Sequence, residues 1–187
     1  MAKFEIAHKL TQNFEGGFAN NPNDIGGMTW RGIARNYNPK WKGWIIVDSI
    51  LSTKPKDINS ALYGCKLIND LVDEFYEVNY WDSINLDLIS SQEVANLLFD
   101  SSVNMGVGRA VKFLQQSLYP AIVIDGKIGP KTIAAANAID SKKLYDLILK
   151  LRKAKYDEII AKNPSQIEFK KSWYSRLVPF EKANPTV

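Results

Sequence analysis

Two acids and a hydroxyl lie close together in sequence near the start of this chain of 187 residues. Glu15 is followed by Gly16-Gly17, Asp24 comes shortly afterwards, and Thr29 follows Asp24. Cleavage of a glycosidic bond needs one carboxyl group that protonates the leaving oxygen and a polar group that handles a water molecule. These three side chains supply the right groups if the chain folds them together.

The helix expected before Glu15 makes the position of this acid unusual. Apolar residues at three- and four-residue steps predict an amphipathic helix from about Ala2 to Phe14. Gly16-Gly17 then favours the end of the helix. Glu15 falls in the last turn, at the negative end of the helix dipole, where an exposed anion is disfavoured by roughly 0.3–1 kcal/mol. Such a place favours the protonated form that a general acid needs, and an exposed helix-end residue without chemistry is the alternative.

Asp24 and Thr29 flank a stretch rich in turn-forming residues. Gly26-Gly27 and the asparagines before Asp24 favour tight turns, which would fold both side chains back toward Glu15. Each residue also has an interpretation without catalysis. Asp24 is typical of an Asx-turn, and Thr29 is typical of the N-cap of a helix predicted over 29–37.

From Glu15 to Ile33 the chain resembles the signature of glycoside hydrolase family 108, the lysozyme-like N-acetylmuramidases, some of which are labelled secretion activators. The pattern is Glu-Gly-Gly-aromatic, then Asp, then Gly-Gly-x-Thr-x-x-Gly-Ile. Later segments resemble the same family in order along the chain: Tyr80-Trp81-Asp82, Phe99-Asp100 with Asn104 and Gly106, Leu114-Gln115, Asp125 to Thr132, and Trp173 to Leu177. The segment Asp125 to Thr132 is similar to a peptidoglycan-binding-like second half, and Ser172 departs from a position where the family often has Gly.

The resemblance implies a mainly α-helical, lysozyme-like fold. A catalytic N-terminal half, residues 1–104, would pack on a small peptidoglycan-binding-like helical half, residues 105–187. Glu15 would protonate the oxygen of the β-1,4 bond between N-acetylmuramic acid and N-acetylglucosamine in peptidoglycan. Asp24 would stabilise positive charge at the sugar or help a water molecule attack, and Thr29 would orient that water.

Two other functions stay open at this point. A lytic transglycosylase would use one acid on the same bond and release a 1,6-anhydro product instead of a reducing end. A non-catalytic cell-wall-binding or secretion-accessory module, built on Asp125 to Thr132, would cleave nothing. Analysis of the muropeptides released by the purified protein separates these three functions.

Aromatic residues near the motif are candidates for substrate binding, because sugar rings present flat apolar faces that stack on aromatic rings. Phe18, Trp30 and Trp81 adjoin the motif segments and are the preferred candidates. The wider set of candidate aromatic residues is Trp30, Tyr37, Trp41, Trp44, Trp81 and Trp173. The alternative is that these rings serve the core, as most large aromatic residues do.

Asp100 and Asn104 form a second candidate pair. They lie one helical turn apart and therefore share one face of a predicted helix. The resemblance of this helix end to the family favours a role facing the substrate. A pair of capping residues near a helix end is the alternative.

The composition leaves carboxylate chemistry as the main option. One cysteine, Cys65, and one histidine, His8, allow no internal disulfide and are too few for a transition-metal site, so we expect no metal and no cofactor. The net charge of +4 suits attraction to the anionic cell wall, although basic residues at helical spacing more often form a solvated face. No nucleic-acid-binding motif is present, so we expect peptidoglycan glycan strands as the partner and no nucleic acid.

The start of the chain shows no signal peptide, since Lys3 and Glu5 interrupt it and no apolar stretch follows. The longest apolar run, Trp44 to Val47, ends at Asp48 and is too short to span a bilayer. We therefore expect synthesis in the cytoplasm, no stable membrane insertion, and action at the bacterial cell wall after release or export. A holin or an export partner would serve that step.

The remaining pattern is helical almost throughout. Hydrophobic stripes predict helices over 66–80, 109–118, 131–138 and 141–160, and a capping-box pattern at 90–93 predicts the start of another that Gly106 ends. Pro130 suits the first position of its helix, and Ser141 suits the N-cap of the longest one. We expect four apolar residues of the second half to be buried together: Leu114, Ile124, Ile128 and Ile133.

Overall fold

Helices dominate the structure, a computed structural model that describes residues 1–12, 16–21 and 24–184. The helices are α1 (Phe4–Gln12), α2 (Gly43–Ser52), α3 (Ile58–Tyr63), α4 (Lys66–Tyr76), α5 (Gln92–Met105), α6 (Val107–Ser117), α7 (Pro130–Ala138), α8 (Ser141–Lys162) and α9 (Lys170–Ser175). A π-helical segment, Glu77–Trp81, continues α4, and 3-10 turns cover Asp82–Ile84, Leu86–Leu88, Pro164–Phe169 and Phe180–Lys182. Three short strands are β1 (Phe18–Ala19), β2 (Thr29–Trp30) and β3 (Ile33–Ala34). The prediction of a mainly α-helical, lysozyme-like fold is confirmed.

The chain forms two compact units. One, here called the sheet unit, comprises Lys9–Val78. The other, here called the helical unit, comprises Met1–His8 together with Asn79–Val187. Among the described residues, every helix is too short or too polar to cross a membrane.

The sheet unit contains an antiparallel sheet in the order β1-β2-β3. Phe18 lies opposite Trp30, which lies opposite Ile33 on β3. Because neighbouring residues of a strand point to opposite faces, these three side chains share one face, which packs into the core. Thr29 lies on the other face of the sheet, opposite Ala19 and Ala34.

The prediction of a helix over 29–37 is wrong: β2 and β3 form there, because the chain turns back sharply at Arg31-Gly32. Both residues of this two-residue connection have positive φ, 45° at Arg31 and 78° at Gly32. Positive φ at both central positions is the geometry that joins two antiparallel strands in a tight hairpin. Arg is not a usual residue at the first of these positions, so the sequence carried only a weak signal for the turn.

The helical unit is built around α5, α6 and α8. Gly106, with φ of 87°, separates α5 from α6, as the sequence predicted for the end of α5. The hydroxyl of Ser91 accepts a hydrogen bond from the Val94 N–H and caps α5, which confirms the capping signal. Pro130 stands at the first position of α7, as predicted. Ser141 is not the cap of α8: the carboxylate of Asp140 accepts the N–H of Lys143 at 2.8 Å and caps this helix instead.

Candidate active site

The predicted general acid, Glu15, lies outside the described residues. The site is therefore built from the residues that follow it in the sheet unit, beginning at Gly16. The predicted helix from Ala2 to Phe14 corresponds to α1, which is described from Phe4 to Gln12. Asp24 and Thr29, the two partners predicted for Glu15, are both described.

Asp24 opens the tight turn that leads into β2. Its Oδ1 accepts the N–H of Gly26 at 2.8 Å, and its backbone carbonyl accepts the N–H of Gly27 at 2.9 Å. The Asx-turn expected as an alternative for Asp24 is therefore present. The side chain is exposed, and its Oδ2 makes no hydrogen bond to any other described residue. One carboxylate oxygen thus fixes the turn while the other stays available.

Thr29 is joined to the same turn from the strand side. Its hydroxyl donates to the backbone carbonyl of Gly27 at 3.2 Å, and the side chain is half-buried on the outer face of the sheet. It does not cap a helix, because β2 begins there. The backbone carbonyl of Asp24 and the hydroxyl of Thr29 are thus both hydrogen-bonded to the backbone of Gly27, and the roles of these two residues at the substrate stay predictions.

Asn36 supports this turn, and sequence analysis missed it. Its side-chain Nδ2 donates to the carbonyl of Ile25 at 2.9 Å, and its backbone N–H donates to the carbonyl of Gly26 at 3.0 Å. Gly27 has φ of 68°, and a Cβ there would lie 2.9 Å from Asn36 Nδ2. The positive φ therefore favours glycine at this position, and the amide of Asn36 uses the space that a side chain would fill. Asn36 lies nine residues after Gly27, beyond β3, so the sequence alone gave no signal for this contact.

Phe18 lies at the start of β1, directly after the Gly16-Gly17 pair. Its backbone N–H donates to Oδ1 of Asn59 at 2.7 Å, and its ring is half-buried on the inner face of the sheet. Asn59 is the second residue of α3 and was not identified from the sequence. It anchors the strand that follows Glu15 in the chain.

Trp30 and Trp81 occupy core positions. Trp30 has no exposed surface and packs 4.8 Å from the ring of Tyr63, while Trp81 is 2% exposed and packs against Phe4 and Phe99. Both rings therefore serve the core of the unit to which they belong. Contact of either ring with a sugar stays a prediction, and it requires a rearrangement that exposes the ring.

Asp100 lies in a buried ionic cluster in the helical unit. Its two carboxylate oxygens accept from Arg152 Nη2 at 2.5 Å and from Arg176 Nη1 at 2.7 Å. Asn104, one turn along α5, accepts the hydroxyl of Tyr156 at 2.6 Å, and that hydroxyl accepts Arg152 Nε at 3.0 Å. Neither residue caps the helix. The cluster joins α5 to α8 and to the segment after α9, and a role of Asp100 or Asn104 at the substrate stays a prediction.

The cluster also explains why one basic residue of α8 is not part of a solvated face. Arg152 has no exposed surface, and its Nη1 has no partner within the described structure. Burial raises the pKa of the Tyr156 phenol. The positive charge of Arg152 and the hydrogen bond that Arg152 donates to the phenol oxygen act in the opposite direction. Tyr156 therefore stays a neutral donor to Asn104.

Asp73 on α4 is a carboxylate that sequence analysis did not single out. Gln12 Nε2 donates to its Oδ1 at 3.4 Å. Burial raises the pKa of Asp73, and the charge of Arg31 acts in the opposite direction. The pattern of α4 gives no signal for this, since Asp73 lies among other acidic residues of an amphipathic helix.

The turn at Asp125 is held together by its own neighbours. Gln115 is 1% exposed, and it donates to Asp125 Oδ1 at 2.7 Å and accepts the N–H of Gly126 at 2.8 Å. Leu114 and Ile133 are buried as expected. Ile128 is only half-buried, and Ile124 is 39% exposed, because it precedes the turn in an irregular segment. The motif residues of this segment therefore have structural roles in the turn.

Charge is distributed unequally along the chain. Residues 1–106 contain nine Lys and Arg against thirteen Asp and Glu, whereas residues 107–187 contain fifteen against seven. Residues 107–187 therefore carry an excess of eight positive charges, which outweighs the excess of four negative charges in residues 1–106 and gives the net charge of +4. Within the described ranges, no group of three or more His, Cys, Asp or Glu side chains could hold a metal ion.

Comparison with known proteins matches both halves to families. Residues 8–106 match the family model described as Glycosyl hydrolase 108, and residues 109–178 match the model described as Predicted Peptidoglycan domain. The fold is similar to the structure of Brucella abortus SagA, with a TM-score of 0.65 and 25% sequence identity over 93% of this chain and 88% of that chain. No curated protein sequence matches. The resemblance drawn from the motifs is thereby confirmed.

Proposed function

We propose that this chain, which belongs to the glycosyl hydrolase 108 family, is a peptidoglycan hydrolase of the N-acetylmuramidase type. It cleaves the β-1,4 bond between N-acetylmuramic acid and N-acetylglucosamine in the glycan strands. The second family match, a peptidoglycan domain over residues 109–178, supports the same polymer as partner. The catalytic half, residues 1–104, and the peptidoglycan-binding-like half, residues 105–187, are part of this proposal.

Glu15 is the general acid in this proposal. It gives its proton to the glycosidic oxygen as the bond to the leaving sugar breaks. Asp24 stabilises the positive charge that develops at the sugar ring or helps a water molecule attack, and Thr29 orients that water. The reaction needs no metal and no cofactor.

One observation carries the proposal most directly: Gly27 holds both Asp24 and Thr29 in a single turn. Its N–H donates to the Asp24 carbonyl and its carbonyl accepts the Thr29 hydroxyl. The N–H of Gly26 also donates to Asp24 Oδ1, so local hydrogen bonds orient both the exposed Asp24 carboxylate and the Thr29 hydroxyl. Such preorganisation is what stabilisation of a developing charge requires.

Two alternative functions would act on the same polymer. A lytic transglycosylase uses the acid but leaves a 1,6-anhydro end, and a secretion-accessory protein binds the wall without cutting it. The hydrogen bonds that orient the Asp24 carboxylate and the Thr29 hydroxyl on one turn favour an enzyme with groups beyond the acid, because a binding module does not need oriented catalytic groups. The site of action is the cell wall, reached through release by a holin or through an export partner.

The experiment is analysis of muropeptides released from purified sacculi. Wild-type protein, Glu15→Gln and Asp24→Asn are incubated with sacculi. The soluble products are separated by chromatography and identified by mass spectrometry. A muramidase releases fragments with N-acetylmuramic acid at the reducing end. A 1,6-anhydro product supports the transglycosylase, and absence of soluble fragments from wild-type protein supports the accessory role.

A further inference from the structure

Two apolar side chains are exposed directly beside Asp24. Ile25 is 82% exposed at the tip of the turn, and Tyr37 is 69% exposed a short distance after β3. Isolated exposed apolar residues are common on protein surfaces and need no explanation. This pair differs because both side chains belong to the segment that holds the Asp24 turn.

The position of Gly26 shows how close Tyr37 lies to the turn. A Cβ at Gly26 would lie 3.3 Å from Asp24 Oδ1 and 3.6 Å from Cε2 of Tyr37. The same point would lie 3.1 Å from the Cβ of Ala34. The carboxylate of Asp24 and the ring of Tyr37 therefore both lie close to the backbone of Gly26.

Local hydrogen bonds hold the backbone at Ile25 and on the segment that precedes Tyr37. The Asn36 side chain donates to the carbonyl of Ile25, and the Asn38 side chain donates to the carbonyl of Ala34 at 3.2 Å. Tyr37 lies between these two asparagines in sequence. Its hydroxyl makes no hydrogen bond to another described residue, so the polar end of the ring stays available for a ligand.

We propose that Tyr37 and Ile25 form a platform on which one pyranose ring of the glycan strand rests beside Asp24. This inference depends on the proposed function, because it takes the substrate to be a saccharide. The apolar C–H face of the sugar stacks on the Tyr37 ring, and the Tyr37 hydroxyl hydrogen-bonds a sugar hydroxyl or acetamido group. Ile25 contacts an apolar group such as the acetamido methyl. Substrate contact is thereby assigned to a ring that is exposed rather than to the buried Trp30.

The test measures sugar binding separately from cleavage. Tyr37→Ala, Tyr37→Phe and Ile25→Ser are each made in the Glu15→Gln full-length chain. The probe is a soluble tetrasaccharide of alternating N-acetylglucosamine and N-acetylmuramic acid, and the readout is the Kd from calorimetry. Tyr119→Ala is the matched control, since Tyr119 is also 69% exposed but belongs to the helical unit.

The expected result is that Tyr37→Ala raises the Kd by about tenfold, as loss of an aromatic contact of roughly 1.4 kcal/mol predicts. Tyr37→Phe keeps the stacking and raises the Kd less, Ile25→Ser raises it by a smaller factor than Tyr37→Ala, and Tyr119→Ala leaves it unchanged. Equal Kd values for the parent protein and Tyr37→Ala, or an equal loss in Tyr119→Ala, would overturn the inference.

Failure of the platform and failure of the proposed function give different results. If wild-type protein releases muropeptides while Tyr37→Ala binds the tetrasaccharide as tightly as its parent, the function stands and the platform is wrong. If wild-type protein releases none, the muramidase proposal itself is wrong. If a thermal melt shows that Tyr37→Ala folds poorly, the test relies on Ile25→Ser and Tyr37→Phe. An unchanged Kd for both of these variants would then overturn the proposed sugar platform.

Discussion

The side chain of Asn59 occupies the space that a side chain at Gly17 would need. Its Oδ1 accepts the N–H of Phe18 at 2.7 Å, and a Cβ built on Gly17 would overlap that oxygen. Gly17 therefore permits a close approach between the start of β1 and the start of α3. The second glycine of the Glu-Gly-Gly motif has a packing role, in addition to any role in ending α1.

Substitution of Gly17 by Ala should destabilise the protein by about 1–3 kcal/mol, the usual cost of overpacking. The double variant Gly17→Ala/Asn59→Ala should lose less than the sum of the two single variants, because removal of the amide frees the space. Urea unfolding of the four proteins measures this coupling. Gly16→Ala is the control, since no other described atom lies within 4 Å of a Cβ built there. Strict additivity of the two changes would contradict the close packing.

Most helices were predicted from the sequence, whereas the small sheet was not predicted. The helix at 66–80, the N-cap at Ser91 and the first helical position at Pro130 follow from local patterns that the structure retains. The hairpin of β2 and β3 depends on positive φ at Arg31, a residue whose type does not favour that conformation. Local propensity therefore predicted a helix there.

Side-chain partners far apart in sequence were also beyond prediction. The motif residue Asp100 was recognised by type and spacing, but its partners Arg152 and Arg176 lie far along the chain. A carboxylate on a helix face gives the same pattern whether it faces a substrate or a buried arginine. The turn residues Asp24 and Gly27 were easier, because an Asx-turn forms within a few residues.

Replacing Asp100 by Asn should destabilise the protein by about 3–5 kcal/mol, because two buried guanidinium groups lose the carboxylate that neutralises them. The side chain of Arg152 is fully buried and that of Arg176 is 7% exposed. Asp87→Asn, at an exposed position, is the control and should change the free energy of unfolding by less than about 0.5 kcal/mol. Urea unfolding measures both changes. A small effect of Asp100→Asn would show that the cluster is solvated.

The variant Asp73→Asn should be more stable than wild-type protein at pH 7. Burial raises the pKa of Asp73 in the folded state, so the ionised form costs free energy of folding at neutral pH. The advantage of Asn should shrink as the pH falls through that raised pKa, and it should vanish below the unfolded-state pKa of about 3.9. Unfolding curves between pH 3 and pH 7 measure the difference. An advantage that grows as the pH falls would contradict the burial of this carboxylate.

Binding to sacculi should depend on salt through the basic second half of the chain. Lys143 and Lys150 are exposed on α8 and form no ion pair with another described residue. In the Glu15→Gln background, Lys143→Glu/Lys150→Glu should weaken binding at low salt, and the difference should disappear at high salt. Lys40→Glu/Lys56→Glu makes the same change in net charge in the sheet unit and is the control. Equal weakening by both pairs would indicate that only the total charge matters.

The most direct test of the central claim compares wild-type protein with Glu15→Gln on purified sacculi. Both proteins must show the same thermal unfolding transition, so that loss of activity is not loss of fold. If Glu15 is the general acid, wild-type protein releases muropeptides ending in reducing N-acetylmuramic acid and Glu15→Gln releases none. Release of the same muropeptides by a folded Glu15→Gln protein would contradict Glu15 as the general acid.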